Sequence, residues 1–168
     1  MVKESIADAA INIENTEIVT WSDKYATGIE LIDSQHHQLV NLTNELYRAC
    51  LSGGDERLTV FKDAMKRMVD YVRFHFTAEL KILDAVKYPD YSNHKKMHND
   101  LVEEILAASN TYDDGKLFVP NKFVRTLKDW VFGHIAVYDK LYSAYIVEQL
   151  KKGLLTREKI KEISLKIN

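Results

Sequence analysis

The chain has 168 residues and a formal net charge of −2, and 46% of its residues are hydrophobic. That is enough for one domain with a sizeable core, and the near-neutral balance excludes a global basic footprint for nucleic acid. The lone cysteine, Cys50, excludes an internal disulfide, and the N-terminus has no long apolar run. The expectation is therefore a cytoplasmic protein with neither signal peptide nor membrane span.

Residues 1–19 read as an acidic, irregular arm, and residues 21–30, with Gly28, as a loop. A first helix is predicted from about Glu30 to Leu51, where Leu31, Ile32, Leu39, Leu42 and Leu46 recur close to a 3.6 period. Gly53 and Gly54 end it. Asp55 caps a second helix reaching about Val86, with Leu58, Phe61, Met65, Met68, Val69 and Val72 inward, and Pro89 closes that segment. Asp90 or Ser92 caps a third helix through about Tyr112, with Gly115 beyond. Pro120 suits the first turn of a fourth, which runs to about Lys151 and meets Gly153. The connections are short, so successive helices should be antiparallel neighbours. The expected fold is all-α: an up-down-up-down four-helix bundle over residues 20–153, preceded by the arm and followed by a helical tail, residues 154–168, capped at Thr156. The two ends differ in charge. Residues 1–30 carry two lysines against six acids, and residues 151–168 six basic residues against two acids. Either the ends pack near each other or both are solvated.

Five of the six histidines, with two carboxylates, fall on predicted inward faces. They are His36 on the first helix, His75 and Glu79 on the second, His94 and His98 on the third, and His134 and Asp139 on the fourth. Residues four apart lie on one helix face, so His75/Glu79 and His94/His98 can each grip an ion. His134 and Asp139 are five apart, about 140° around a regular α-helix. A π-bulge would bring them onto one face, so i→i+5 hydrogen bonding is predicted around Gly133–Asp139. Nearby Ile135, Tyr138 and Leu141 suggest that much of this turn is buried. Seven ligands exceed the needs of one ion and point to a pair of transition-metal ions, because imidazole suits several such metals and carboxylates can bridge. A zinc-peptidase H-E-x-x-H is excluded because Lys95 follows His94. A ferritin-like site is disfavoured because no Glu-x-x-His occurs.

Four stretches carry a resemblance: W-S-D-K-Y-A-T-G-I-E-L-I-D-S-Q-H from Trp21, H-F-T-A-E from His75, Y-P-D-Y-S-N-H-K-K-M-H from Tyr88 and W-V-F-G-H-I-A-V-Y-D from Trp130. In order and spacing they resemble the hemerythrin family, in its bacterial branch, over roughly residues 20–152. The resemblance implies a non-haem di-iron centre that binds O₂ reversibly: an oxygen carrier, store or scavenger rather than an enzyme. It implies one iron held by His94, His98 and His134 and a second held by His36 and His75. Glu79, Asp139 and an oxo or hydroxo group would bridge them, with an open position for O₂ on the second iron. The implied O₂ pocket is walled by Leu39, Phe76, Trp130, Val131 and Ile135. The family commonly has leucine where Val131 stands, which suggests a roomier pocket, and an acid where Leu80 stands. His37 is assigned to the flank, Cys50 is taken as inert, and Tyr138, Tyr142 and Tyr145 as core and boundary packing. Two other functions stay open: an O₂ or redox sensor acting on a protein partner through the arm or tail, and an enzyme handling peroxide or nitric oxide. Oligomeric state is not legible.

Overall fold

The structure is a computed structural model that describes residues 13–51, 57–113 and 120–166. After 3₁₀ turns at Ile13–Asn15 and Asp23–Tyr25 come α1 (Glu30–Leu51), α2 (Arg57–Ala85), α3 (Tyr91–Asp113) and α4 (Pro120–Gly133). A π-helical segment, His134–Asp139, joins α4 to α5 (Lys140–Lys151), and α6 (Arg157–Leu165) follows. The bundle helices thus match the periodicity. The expected stops and caps at Gly53, Gly54, Asp55 and Gly115 lie outside the described residues.

Cross-helix contacts fix the directions. Gln35 meets His75 while Glu45 meets Arg67, so α1 and α2 run antiparallel. Phe76 meets His98 while Glu79 meets His94, which reverses α3 against α2. His36 meets Asp139 while Tyr47 meets Arg125, which closes the fourth helix against α1.

Local chemistry sets the helix ends. The backbone N–H of His94 donates to the Asp90 carbonyl at 3.0 Å, which makes Asp90, and not Ser92, the cap of α3. Helix α2 ends in a Schellman arrangement, with Tyr88 N donating to Leu83 O at 2.9 Å and Lys87 left-handed at φ 54°. The Tyr145 hydroxyl donates to the Val86 and Lys87 carbonyls at 3.2 and 3.1 Å and pins that turn to α5. Thr156 caps α6 as expected, accepting from Lys159 N at 3.1 Å.

The loop before α1 is held from both sides. Asp33 accepts from Thr27 N, Thr27 Oγ1 and Gly28 N at 2.6, 2.7 and 3.0 Å, with Gly28 at φ 79°. From α5, Lys140 Nζ donates to the Ala26 carbonyl and Ser143 Oγ to the Thr27 carbonyl.

The core falls into two apolar clusters. One gathers Leu39, Leu42, Leu46, Phe61, Met68, Val72, Leu101, Ile105 and Leu127. The other gathers Ile29, Ile32, Ile82, Leu83, Val86, Tyr142 and Ile146 at the opposite end. The seven candidate ligands sit in sequence and in space between them. The described part of the arm binds along α1, where Asn44 Oδ1 accepts from Ile18 N and Val19 N at 2.9 and 3.1 Å and Asn44 Nδ2 donates to Val19 O at 2.8 Å. The tail packs Leu155, Ile160 and Ile163 against the second cluster. The described arm residues and the tail therefore lie at opposite ends of the bundle, and α6 is not a solvated end. Among the described residues, no helix is long and apolar enough to cross a membrane.

Candidate metal centre

All seven predicted ligands are buried, none more than 4% exposed. The histidines converge through their Nε2 atoms, and the two carboxylates stand among them. Glu79 Oε1 lies 3.1 Å from His94 Nε2, and Oε2 lies 3.3 Å from His98 and 3.6 Å from His75. Asp139 Oδ1 lies 3.0 Å from His134 and 3.6 Å from His94, and Oδ2 lies 3.1 Å from His36. Each carboxylate therefore touches one member of the pair His36/His75 and at least one of His94, His98 and His134. The ligand atoms of Glu79, His94, His98 and His134 lie within 4.8 Å of one another, tight enough for one ion. His36, His75 and Asp139 adjoin that group through the contacts of the two carboxylates.

The π-segment makes this possible. It places His134 and Asp139 on one face despite their five-residue separation, as the sequence spacing requires. One expectation about this turn is corrected. Ile135 is buried, but Tyr138 is 39% and Leu141 53% exposed. The wide turn directs the ligands inward and leaves its other flank to solvent.

The donor set fits metal ions on the structure's own terms. Buried polar atoms are normally hydrogen-bonded, yet His36 Nε2, Glu79 Oε2 and both Asp139 oxygens lack a hydrogen bond of proper geometry despite their close approach. His98 Nε2 and His134 Nε2 face each other at 3.0 Å, where at most one proton fits between them. Without cations, two carboxylates buried in such a place are expensive to keep charged.

Ionisation follows the same logic. Burial first, then the neighbouring His36, push the His75 imidazole well below its usual range. Burial, then His134 and His94, push His98 down likewise. Neutral imidazole is the metal-binding form. Burial also opposes charge on His94, but the hydrogen bond and charge of Glu79 outweigh it and raise that ring. Burial and then Asp139 raise Glu79. For Asp139 the burial effect is overcome by His134 and His36, which hold it well below the ordinary carboxylate range.

Around the candidate ligands, two stacked aromatic rings and one amide fix orientation. Phe76 stacks on His98 at 3.6 Å and 4°, and Trp130 on His134 at 4.7 Å and 9°. Gln35 Oε1 accepts from His75 Nδ1 at 3.0 Å and so turns the Nε2 lone pair inward. Gln35 carried no signal in the sequence beyond its place next to His36. His37 is exposed, as its helix position implies, and lies against the Trp21 ring at 3.9 Å. Tyr142 is fully buried, its ring 5.6 Å from that of His94, and burial followed by Glu79 and Asp139 raises its phenol well above the usual range. Cys50 is buried and forms no disulfide.

The five predicted pocket residues Leu39, Phe76, Trp130, Val131 and Ile135 all line one apolar cavity against His75 and His134. Its free volume is about 10 Å³, room for a single water-sized molecule.

Buried imidazoles and carboxylates enclosed by a four-helix bundle define a metal-binding helical protein. A model of the hemerythrin HHE cation binding domain matches residues 27–146. Bacteriohemerythrin of Methylococcus capsulatus is 28% identical over 127 residues, 75% of this chain and 95% of that protein. A hemerythrin-like protein of Naegleria gruberi is 25% identical over 126 residues, 75% of this chain and 92% of its own length. The crystal structure of a wild-type hemerythrin superposes with a TM-score of 0.70 at 26% identity, covering 76% of this chain and 96% of that one. The chain belongs to the hemerythrin family.

Proposed function

We propose that this protein binds O₂ reversibly at two iron ions, His94, His98 and His134 holding one and His36 and His75 the other, with Glu79 and Asp139 spanning both. The observation that carries this reading is the pattern of carboxylate contacts, in which each acid reaches both histidine groups. Two ferrous ions held by these residues would supply the electrons that O₂ takes up on binding and returns on release.

The chain's own part is to hold the ligands and keep water out. Three residues on one side and two on the other leave the His36/His75 position with fewer protein ligands, and an open coordination position is where a small molecule binds. The cavity beside His75 and His134 is walled by hydrocarbon and aromatic surface, which disfavours a charged product leaving by that route. Apart from His75 and His134, both proposed as iron ligands, its lining residues carry no titratable side chain. The buried phenol of Tyr142 belongs to the other apolar cluster, beside His94. A binding protein follows from this arrangement more directly than an enzyme that must deliver protons.

The test is anaerobic loading with ferrous iron, then repeated cycles of oxygen and argon. About two irons per chain and a visible absorption that appears and disappears over several cycles are the expected result. Rapid one-way oxidation, or turnover with peroxide or nitric oxide, would overturn it.

A further inference from the structure

Helix α6 follows the span matched by the family model, and it encloses a cleft that the bundle alone would not have. The cleft holds about 660 Å³ and lies between α6, the start of α1 and α5. That volume is in the range of small-molecule sites, about 300–1,000 Å³. Its floor is apolar, with Ile29 and Ile146 buried and Leu150 and Ile160 partly so. Leu165, 66% exposed, extends the apolar rim at the far end.

One side of this trough is cationic. Arg157 and Lys161, one turn apart on α6, both line it, and neither forms an ion pair with any described residue. Lysines elsewhere on the same surface behave differently: Lys159 pairs with Glu162, and Lys152 with Glu148. Glu30 also lines the cleft, so two cations face one carboxylate. Ser34 and Ser164 add hydroxyls among the lining residues. From Arg157 to Leu165 the helix runs about 12 Å at the standard rise, with Lys161 midway, so the cations flank the N-terminal half of the trough and Leu165 lies about 6 Å beyond Lys161 at its far end.

We propose that this cleft binds a long-chain carboxylate, a fatty acid, with its head group on Arg157 and Lys161 and its chain along Ile29, Ile146 and Ile160. The charge asymmetry selects an anion over a neutral or cationic amphiphile, and the apolar floor selects a chain over a bare anion. The site is separate from the metal centre and stands whether or not O₂ is the ligand there.

Calorimetric titration of the full chain with decanoate tests it. Binding at one site per chain is expected, at least tenfold tighter than butyrate or inorganic phosphate, with no binding of decylammonium. In Arg157→Glu/Lys161→Glu, two exposed changes that leave the core intact, decanoate affinity should fall at least tenfold while the helical circular dichroism is unchanged. Absence of decanoate binding, equal binding of phosphate, or full affinity in the double variant overturns the proposal. So does a concentration-dependent dimer dissolved by Leu165→Glu, which would assign the cleft to a second copy. Decanoate binding that appears only after removal of residues 1–12 would assign it to the chain's own N-terminus. Capture by anionic vesicles without binding of free decanoate would assign it to a membrane surface.

Discussion

His98 and His134 hold their buried Nε2 atoms 3.0 Å apart, and the protonation of His98, with that of His75, governs how the metal-free chain responds to acid. His75 and His98 have lowered folded-state values. Below the ordinary value of about 6.5 the unfolded chain therefore binds more protons than the folded one, and stability falls with falling pH. The limiting slope is about 1.4 kcal/mol per pH unit per histidine. His94, shifted upward, acts in the opposite sense over the same range, one histidine against two, and at lower pH the raised Glu79 opposes the lowered Asp139. Urea unfolding of chelator-treated protein should show a lower midpoint at pH 5.5 than at 7.5, and an equal or higher midpoint would contradict this assignment. Gln35 offers a second check. Gln35→Leu removes the acceptor behind His75 and should weaken metal retention by about 10–100-fold in a chelator competition; unchanged retention would reduce Gln35 to packing. Val131→Leu adds a methylene beside a cavity of about 10 Å³. It should slow autoxidation of the oxygenated protein and cost about 1–3 kcal/mol from overpacking, read by the decay of the visible band and by thermal melting. Unchanged or faster decay would count against the idea that the valine eases exchange through the pocket.

At the scale of elements, the informative piece is the six-residue π-segment. Inserting an alanine after Ala136, an exposed residue within it, lengthens the separation of the two ligands to six residues and should swing Asp139 about 100° away from His134. Metal content should then drop from about two ions per chain to one or fewer, while α1 to α3 keep their helicity. Retention of both ions would mean that the widened turn absorbs the inserted residue. This element was legible because a five-residue ligand spacing is incompatible with a regular helix, a conflict visible in the letters alone. What the letters hid is the rotation that comes with it. Tyr138 and Leu141 follow the apolar period of a straight helix, but the widened turn moves them to the surface. Asp90 rather than Ser92 as the α3 cap was also undecidable beforehand, since both are good caps and only the hydrogen bond from His94 N separates them.

Across the whole molecule, the candidate ligands form a polar belt between two apolar halves. Each of the four bundle helices contributes to it, so bound ions would tie the helices together. Binding energy at such a centre is folding energy. A metal held at a thousand times its dissociation constant adds about 4 kcal/mol, and for a chain of this size that shifts melting by roughly 10 °C. Chelation should lower the melting temperature by about that amount, and a melt indifferent to chelator would argue that the bundle is preformed and the metal adds no cross-link. The bundle and the convergence of its seven candidate ligands were readable because helical period and residue spacing are local properties of the chain. The positions of arm and tail were not. Asn44 binds the arm through backbone groups that any sequence would offer, and α6 docks through scattered isoleucines and leucines that look like an ordinary amphipathic helix.

The π-segment also provides a clock. Its amides close wider loops than those of α4 and α5, and its outer flank, with Val137 and Tyr138, meets solvent. Deuterium should therefore enter the 134–139 stretch ahead of its neighbours. Loaded metal, by holding His134 and Asp139 together, should slow that uptake more than anywhere else in the bundle. Mass spectrometry of timed exchange would then report occupancy in samples with no usable colour.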